Sequence, residues 1–302
     1  MAYTTIDNPE LYFQTKIYTG NGSSRSITFD GDEDMQPDWS WFKARSQSYN
    51  HALFDSVRGA TKLIRSNQNT AEETHSTTLT AFNSNGFSLG GGDAFTNVNT
   101  ETYVSWHWKA SGSTASNSNG SITSTVSANT TAGFSILTFT GTGSSATVGH
   151  GLGAVPKAIL FKKTSGAQGW GVYHAGVGNT GALRLDGTDA TDTTSNYFNN
   201  TSPTSSVFTV NTNNSVNNSG GTMLAYCFAE KKGYSKFGSF EGNNDSNGTF
   251  VYTGFKPAWV MIKRTDSSTS TTDWFIFDNK RNTGNPNDDY LEANENSTET
   301  TS

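Results

Sequence analysis

One cysteine among 302 residues excludes an internal disulfide framework. With histidine only at scattered positions (51, 75, 107, 150 and 174), that cysteine also cannot complete a zinc set. Long apolar runs are missing: none approaches the ~20 residues that span a bilayer. The opening MAYTTIDNPELYFQ has neither the basic nor the apolar region of a secretory signal. Positive charge is sparse. The formal net charge is −6 and the longest basic clusters are the pairs 162–163 and 231–232, so the basic surface that phosphates require is lacking and no nucleic-acid partner is expected. Catalytic signatures are absent as well. There is no G-x-S-x-G elbow, and GHGLG (149–153) has no following helix to aim amides at a phosphate. No acid pair stands in a recurring aromatic groove, so a non-enzymatic protein without a cofactor is expected.

Hydrophobic residues make up only 32 % and charged residues 15 %, a balance that in a chain poor in aromatics would indicate disorder. Here 19 Phe, 11 Tyr and 7 Trp sit in short apolar runs bounded by Gly, Asn and Ser, the pattern of an all-β protein rich in turns. One phrase occurs three times: DMQPDWSWFKAR (34–45), GAVPKAILFKK (153–163) and GFKPAWVMIKR (254–264). Its prolines, Pro37, Pro156 and Pro257, lie 119 (37 to 156) and 101 (156 to 257) residues apart, a period of tandem domains rather than of a solenoid. Each proline precedes a strand, where a missing ladder donor is tolerated. The strand is apolar on both faces, and the basic residues after it are expected to mark its emergence into water.

The copies extend around this phrase. They open with TKIYTGNG (15–22), LTFTGTG (137–143) and SFEGNN (239–244). A second strand follows the phrase, HALFD, WGVYH or DWFIFD. Asp55 with Arg58 and Asp278 with Arg281 read as turn-stabilising surface pairs, which the middle copy replaces with His174 and Val177. The first two copies close with TYVSWHW (102–108) and TMLAYCF (222–228). Alternation places Val104, Trp106 and Trp108, like Leu224, Tyr226 and Phe228, on one buried face. His107 and Cys227 share the opposite face and are sheet residues rather than ligands. The expected organisation is an arm (1–11), a β-sandwich (12–112), a Ser/Thr/Asn-rich linker (113–132), a second sandwich (133–232), and an incomplete third copy with a polar tail (233–302). The fold class is all-β, as tandem antiparallel, jelly-roll-like sandwiches.

Few residues suggest a site. Asp30, Asp32 and Asp34 alternate like the start of a calcium loop but lack its later Gly and Glu, which leaves them weak metal candidates. Trp170, Tyr197 and Phe198 are candidates for stacking on a sugar, with 110–121 and 186–206 as contact loops. The closing strands of the third copy would fall near 309 and 325, past the last residue. Val260, Ile262, Phe275 and Phe277 are therefore expected to need cover from another subunit or from the second copy.

The combination YTGNGSS, QPDWSWFKAR, LFDSVRGATK, FNSNGFSLG and GHGLGAVPKAILFKK resembles a repeated domain of uncharacterised function in virion proteins of tailed marine cyanophages and related phages. The resemblance runs from residue 12 to about 290. It implies a structural virion protein, assembled in the host cytoplasm and displayed as a tail fibre or receptor-binding component. Its partners would be other virion proteins, copies of itself as a homotrimer, and a host-surface glycan. A carbohydrate-binding module and a head-decoration protein are the alternatives.

Overall fold

Each proline-led phrase forms the strand expected of it, and the three strands organise three sheets. The computed structural model describes residues 3–269 and 272–301; Met1 and Ala2 of the arm and Ser270, Thr271 and Ser302 of the third copy lie outside the described residues. The first copy contains β1 (Phe13–Thr19), β2 (Arg25–Ile27), β3 (Trp39–Ala44), β4 (Ala52–Asp55), β5 (Gly59–Ile64), β6 (Glu73–Thr74), β7 (Leu79–Asn83), β8 (Gly86–Leu89) and β9 (Thr102–Trp108). They form one sheet in the order β1-β9-β3-β4-β5-β6 and a smaller one, β2-β8-β7.

The second copy contains β10 (Ala115–Asn117), β11 (Ser124–Asn129), β12 (Phe134–Thr140), β13 (Ala146–Gly149), β14 (Pro156–Lys163), β15 (Gly171–His174), β16 (Val207–Val210), a one-turn helix α1 (Asn214–Asn217) and β17 (Thr222–Ala229). Its large sheet runs β10-β11-β12-β17-β14-β15, and β13 pairs with β16. The segment 113–132 is therefore not a linker. It supplies β10 and β11; in β11 Ser124 and Val126 pack inward while Thr125 between them is exposed. The third copy has β18 (Trp259–Lys263), β19 (Trp274–Asp278) and β20 (Leu291–Glu292). The pairings between these strands are antiparallel, with one isolated parallel bridge from Ile122 to Val148, and the fold is all-β as expected.

The first two copies are sandwiches. Phe42, Phe54 and Leu63 of the large first sheet meet Ile27, Phe87 and Leu89 of the small one. Ile159, Phe161 and Cys227 likewise meet Val148, Phe208 and Val210. The opposite faces of both large sheets converge with the third sheet on one central core. That core joins Trp39, Trp41, Trp106 and Trp108 to Leu160, Trp170, Tyr226, Trp274 and Ile276. Burying such side chains stabilises by roughly 1.5–3 kcal/mol each, so the shared core is where the copies become one structure.

Polar bonds across that core repeat with pseudo-threefold regularity. Residues 51, 170 and 274 occupy the same place, four before the aspartate or its histidine replacement. Trp170 Nε1 donates to the Arg65 carbonyl (2.8 Å) and Trp274 Nε1 to the Arg184 carbonyl (2.8 Å). His51 Nδ1 accepts from Trp41 Nε1, so its Nε2 carries the proton toward the Glu292 carbonyl (2.9 Å). Burial, and secondarily Lys43, pushes His51 down to about 3, so it remains the neutral donor this bond needs. Copy two thus bonds copy one, copy three bonds copy two, and copy one bonds copy three.

The paired charges are not at the surface. Arg281 and Asp278 are both fully buried, and Arg58 with Asp55 nearly so. Trp106 Nε1 of the first copy donates to Asp278 (3.0 Å), and the Tyr226 hydroxyl of the second donates to Asp55 (2.8 Å). Lys43 and Lys162, expected at the water boundary, are also fully buried. The physical reason is tertiary: loops close over the strand end and offer carbonyls. Lys43 donates to Ala44 and Gln47, Lys162 to Gln68 and Gln168, and Lys263 to Thr188, Arg264 and Thr272. Burial lowers Lys43 and Lys162 to about 8.

Candidate functional site

The second copy carries a solvent-open groove of about 310 Å³, lined by Gln168, Arg184, Asn196, Tyr197, Thr212, Asn213, Asn214 and Ser215. Its floor is built from the core outward. Trp170 is anchored from behind, and its backbone N–H donates to Asp186 (3.0 Å), which fixes the 184–189 turn. The 195–198 segment is tied to the approach to α1 by Asn211 N–H to the Tyr197 carbonyl and Asn213 N–H to the Asn196 carbonyl, each 2.8 Å. Asn213 caps α1 by accepting from Ser215 N–H (2.8 Å), and Gln168 Nε2 reaches Ser215 Oγ (3.1 Å).

Four of the eight lining residues are amides: Gln168 donates to Ser215, and Asn196, Asn213 and Asn214 accept from Thr194, Ser215 and Asn218, so the first can offer a ligand hydroxyl its carbonyl oxygen and the others their –NH2 groups. Arg184 leaves 45 % of its side chain exposed, with Asp189 3.9 Å from its Nε. Burial, and then the negative charge of Asp192 and the hydrogen bond with it, raise the Tyr197 hydroxyl to about 12, so it stays protonated at neutral pH with its proton held by Asp192. The arrangement suits a hydroxyl-rich ligand held by hydrogen bonds, at the small end of ligand-site volumes.

The three aromatic candidates fare differently. Trp170 is fully buried, and Tyr197 and Phe198 are only 5 % and 3 % exposed, so none presents a ring face for sugar stacking. The reason is packing: Phe198 lies between Phe161 and Tyr173, while Trp170 belongs to the central core. Only Tyr197 reaches the groove. The contact loop 186–206 borders the groove through Asn196 and Tyr197, whereas 110–121 contributes nothing to it.

Asp30, Asp32 and Asp34 do not converge. Asp30 pairs with Lys16, the Asp32 backbone N–H donates to Glu10, and Asp34 accepts from Asn85 (2.7 Å). Among the described residues no group of three or more His, Cys, Asp or Glu side chains is placed to hold a metal ion. Val260, Ile262, Phe275 and Phe277 share the outer face of the third sheet and are half-buried. Within the third copy, Tyr290 packs on Phe275 and Phe277 at 5.2 and 6.1 Å between ring centroids. Sequence reasoning missed Gln168, Arg184, Asn213 and Asn214, although the run NTNNSVNN (211–218) was a compositional signal.

A family model for a domain of unknown function, DUF7483, matches residues 8–302. The chain belongs to that family. No curated protein matches it, and no solved structure does. The family match takes in all three copies and the groove, so the interlocked arrangement lies within a single family unit. Among the described residues no helix is long and apolar enough to cross a membrane.

Proposed function

We propose that this chain is a non-catalytic host-attachment component of a bacteriophage virion, a tail fibre or receptor-binding part, in which the interlocked copies form a scaffold and the amide-rich groove holds a host-surface glycan. The observation that carries the reading is the lining: Gln168, Asn196, Asn213 and Asn214 beside Arg184 and Tyr197, on loops that the core fixes from behind. Rigid loops of this kind are where recognition resides on a folded scaffold. The virion context is supported by the sequence resemblance, which also implies assembly as a homotrimer. Recognition here rests on hydrogen bonds to sugar hydroxyls, since the aromatic rings are packed inward.

A glycan array probed with the purified chain tests the proposal. Binding is expected to fall at least tenfold in Arg184→Ala and in Tyr197→Phe. An array without binding, or variants that bind as well as the parent, would refute the groove as the attachment site. Light scattering against the 32.4 kDa chain mass reads the trimer separately.

A further inference from the structure

Three side-chain positions recur beside the core bonds, and the second copy departs at two of them. In the first copy the His51 N–H donates to Asn67 Oδ1 (3.2 Å), and Asn67 Nδ2 donates on to Asn50 Oδ1 (2.8 Å). In the third the Trp274 N–H donates to Asn294 Oδ1 (2.8 Å), and Asn294 Nδ2 to Asp273 Oδ1 (2.6 Å). The second copy keeps the first bond, from the Trp170 N–H to Asp186 Oδ1 (3.0 Å). The second bond has no counterpart. Gly169 stands where the others have Asn50 and Asp273, and a carboxylate stands where they have an amide. Asp186 Oδ2 accepts no hydrogen bond among the described residues.

A further change frees Arg184. Its equivalent in the first copy, Arg65, is held by Glu73 through two bonds of 2.6 and 2.9 Å, and Glu73 lies opposite Leu63 across the β5–β6 pair. Asp192 lies opposite Ala182 in the same way, at the offset that separates Pro37 from Pro156. It is one carbon shorter than Glu73, and it accepts instead from the Thr194 N–H (2.9 Å) and the Tyr197 hydroxyl. Asp189, the ion-pair partner of Arg184 among the described residues, stands 3.9 Å from its Nε. That is beyond hydrogen-bond reach, so the guanidinium keeps its donors.

These changes meet at Gly169. A Cβ there would lie 2.9 Å from Arg184 Nη2 and 3.0 Å from Asp186 Oδ2. The space that Asn50 and Asp273 fill in their own copies is therefore flanked here by a free donor and a free acceptor. Arg184 is also part of the groove wall. A ligand group in that space must donate to Asp186 and accept from Arg184, and a hydroxyl does both. An ionised carboxylate only accepts. It would also face Asp186, with Asp189 and Asp192 already acting on the one guanidinium that attracts it.

We infer that the groove continues past Arg184 into a subsite over Gly169, where Asp186 and Arg184 select a neutral sugar through adjacent hydroxyls. This deepens the glycan reading and rests on it. One hydroxyl takes the place of the Asn50 or Asp273 oxygen and donates to Asp186, a charge-assisted bond. The planar fork of Arg184 donates to that hydroxyl and to its neighbour. The first and third copies fill the equivalent space with their own side chains, so the subsite belongs to the second copy alone.

The test is a glycan array carrying neutral oligosaccharides beside uronate- and sialate-bearing ones, probed with the full-length chain and two variants. Gly169→Ala puts a methyl group into the subsite; the backbone there is not left-handed, and the nearest atoms are the ends of the Arg184 and Asp186 side chains. Asp186→Asn installs the residue that the other copies carry, which still accepts from the Trp170 N–H but presents a donor in place of the free acceptor. Both variants should unfold in urea within about 0.3 M of the parent, which separates a filled subsite from a damaged fold. The parent is expected to bind neutral glycans in preference to acidic ones, and each variant to bind them at least tenfold more weakly. Preference for acidic sugars overturns the inference, and so does parent-level binding by either variant. If Arg184→Ala and Tyr197→Phe nevertheless lose binding, the groove reading stands and the subsite alone falls. An array without any binding overturns both.

Discussion

Replacing Tyr226 with Phe removes one oxygen at the seam between the first and second copies. The hydroxyl is buried and donates to Asp55 Oδ2 at 2.8 Å. Asp55 also accepts from Arg58 Nε (2.6 Å) and the Arg58 N–H (2.9 Å), so the carboxylate keeps its charge partner in the variant. The loss is the bond to the carboxylate together with the long bond that the hydroxyl accepts from Arg58 Nη2 (3.5 Å), about 1.5–3 kcal/mol. With an m value near 3 kcal/mol per M for urea, this lowers the unfolding midpoint by about 0.5–1 M. The assay is urea unfolding followed by tryptophan fluorescence and far-UV circular dichroism, with Asp55→Asn and the double variant completing the cycle. Coincident transitions and a coupling above about 1 kcal/mol are expected, because the bond joins copies within one cooperative core. A midpoint shift below about 0.2 M, or two transitions of which only the later copy's responds, would refute the interlocked reading and restore independent domains.

Stability should rise between about pH 8 and 10.5, because Lys43 and Lys162 sit near 8 when folded and near 10.5 when free, so over that window the unfolded chain holds protons that the folded chain has released. The full effect is about 3 kcal/mol per lysine; buried Tyr18 and Tyr226, raised above the ordinary value of 10, oppose it above pH 10, and a urea midpoint that is flat or falling from pH 7 to 9.5 would contradict the reasoning. Trp274→Phe strands the Arg184 carbonyl and is expected to cost about 1–3 kcal/mol in the same assay. That variant also loosens the turn that carries the Arg184 side chain, so glycan binding should weaken although Trp274 does not line the groove. Arg184→Ala should leave the unfolding midpoint within about 0.2 M of the parent, since its half-exposed ion pair contributes little.

Periodicity and punctuation made the strands legible before any coordinates. The proline-led phrases became β3, β14 and β18, and the alternation of Val104, Trp106 and Trp108 put all three in the central core. Those signals are local: a two-residue period and a proline at a boundary act within a few residues. The same local view failed at Lys43 and Lys162, at Asp278 with Arg281, and at Trp170. Each reads as a strand end or a loop until a neighbouring copy closes over it. Residues 113–132 look like a linker for the same reason, because β10 and β11 pair only once β12 is in place to receive them. The groove was invisible too, since Gln168, Arg184, Asn196 and Asn213 meet only through loops far apart in sequence. By itself the sequence determined the three copies, their strands and the faces they bury. Only the tertiary structure decided that these faces share one core, which turned the charged ends of the repeat into buried bonds between copies.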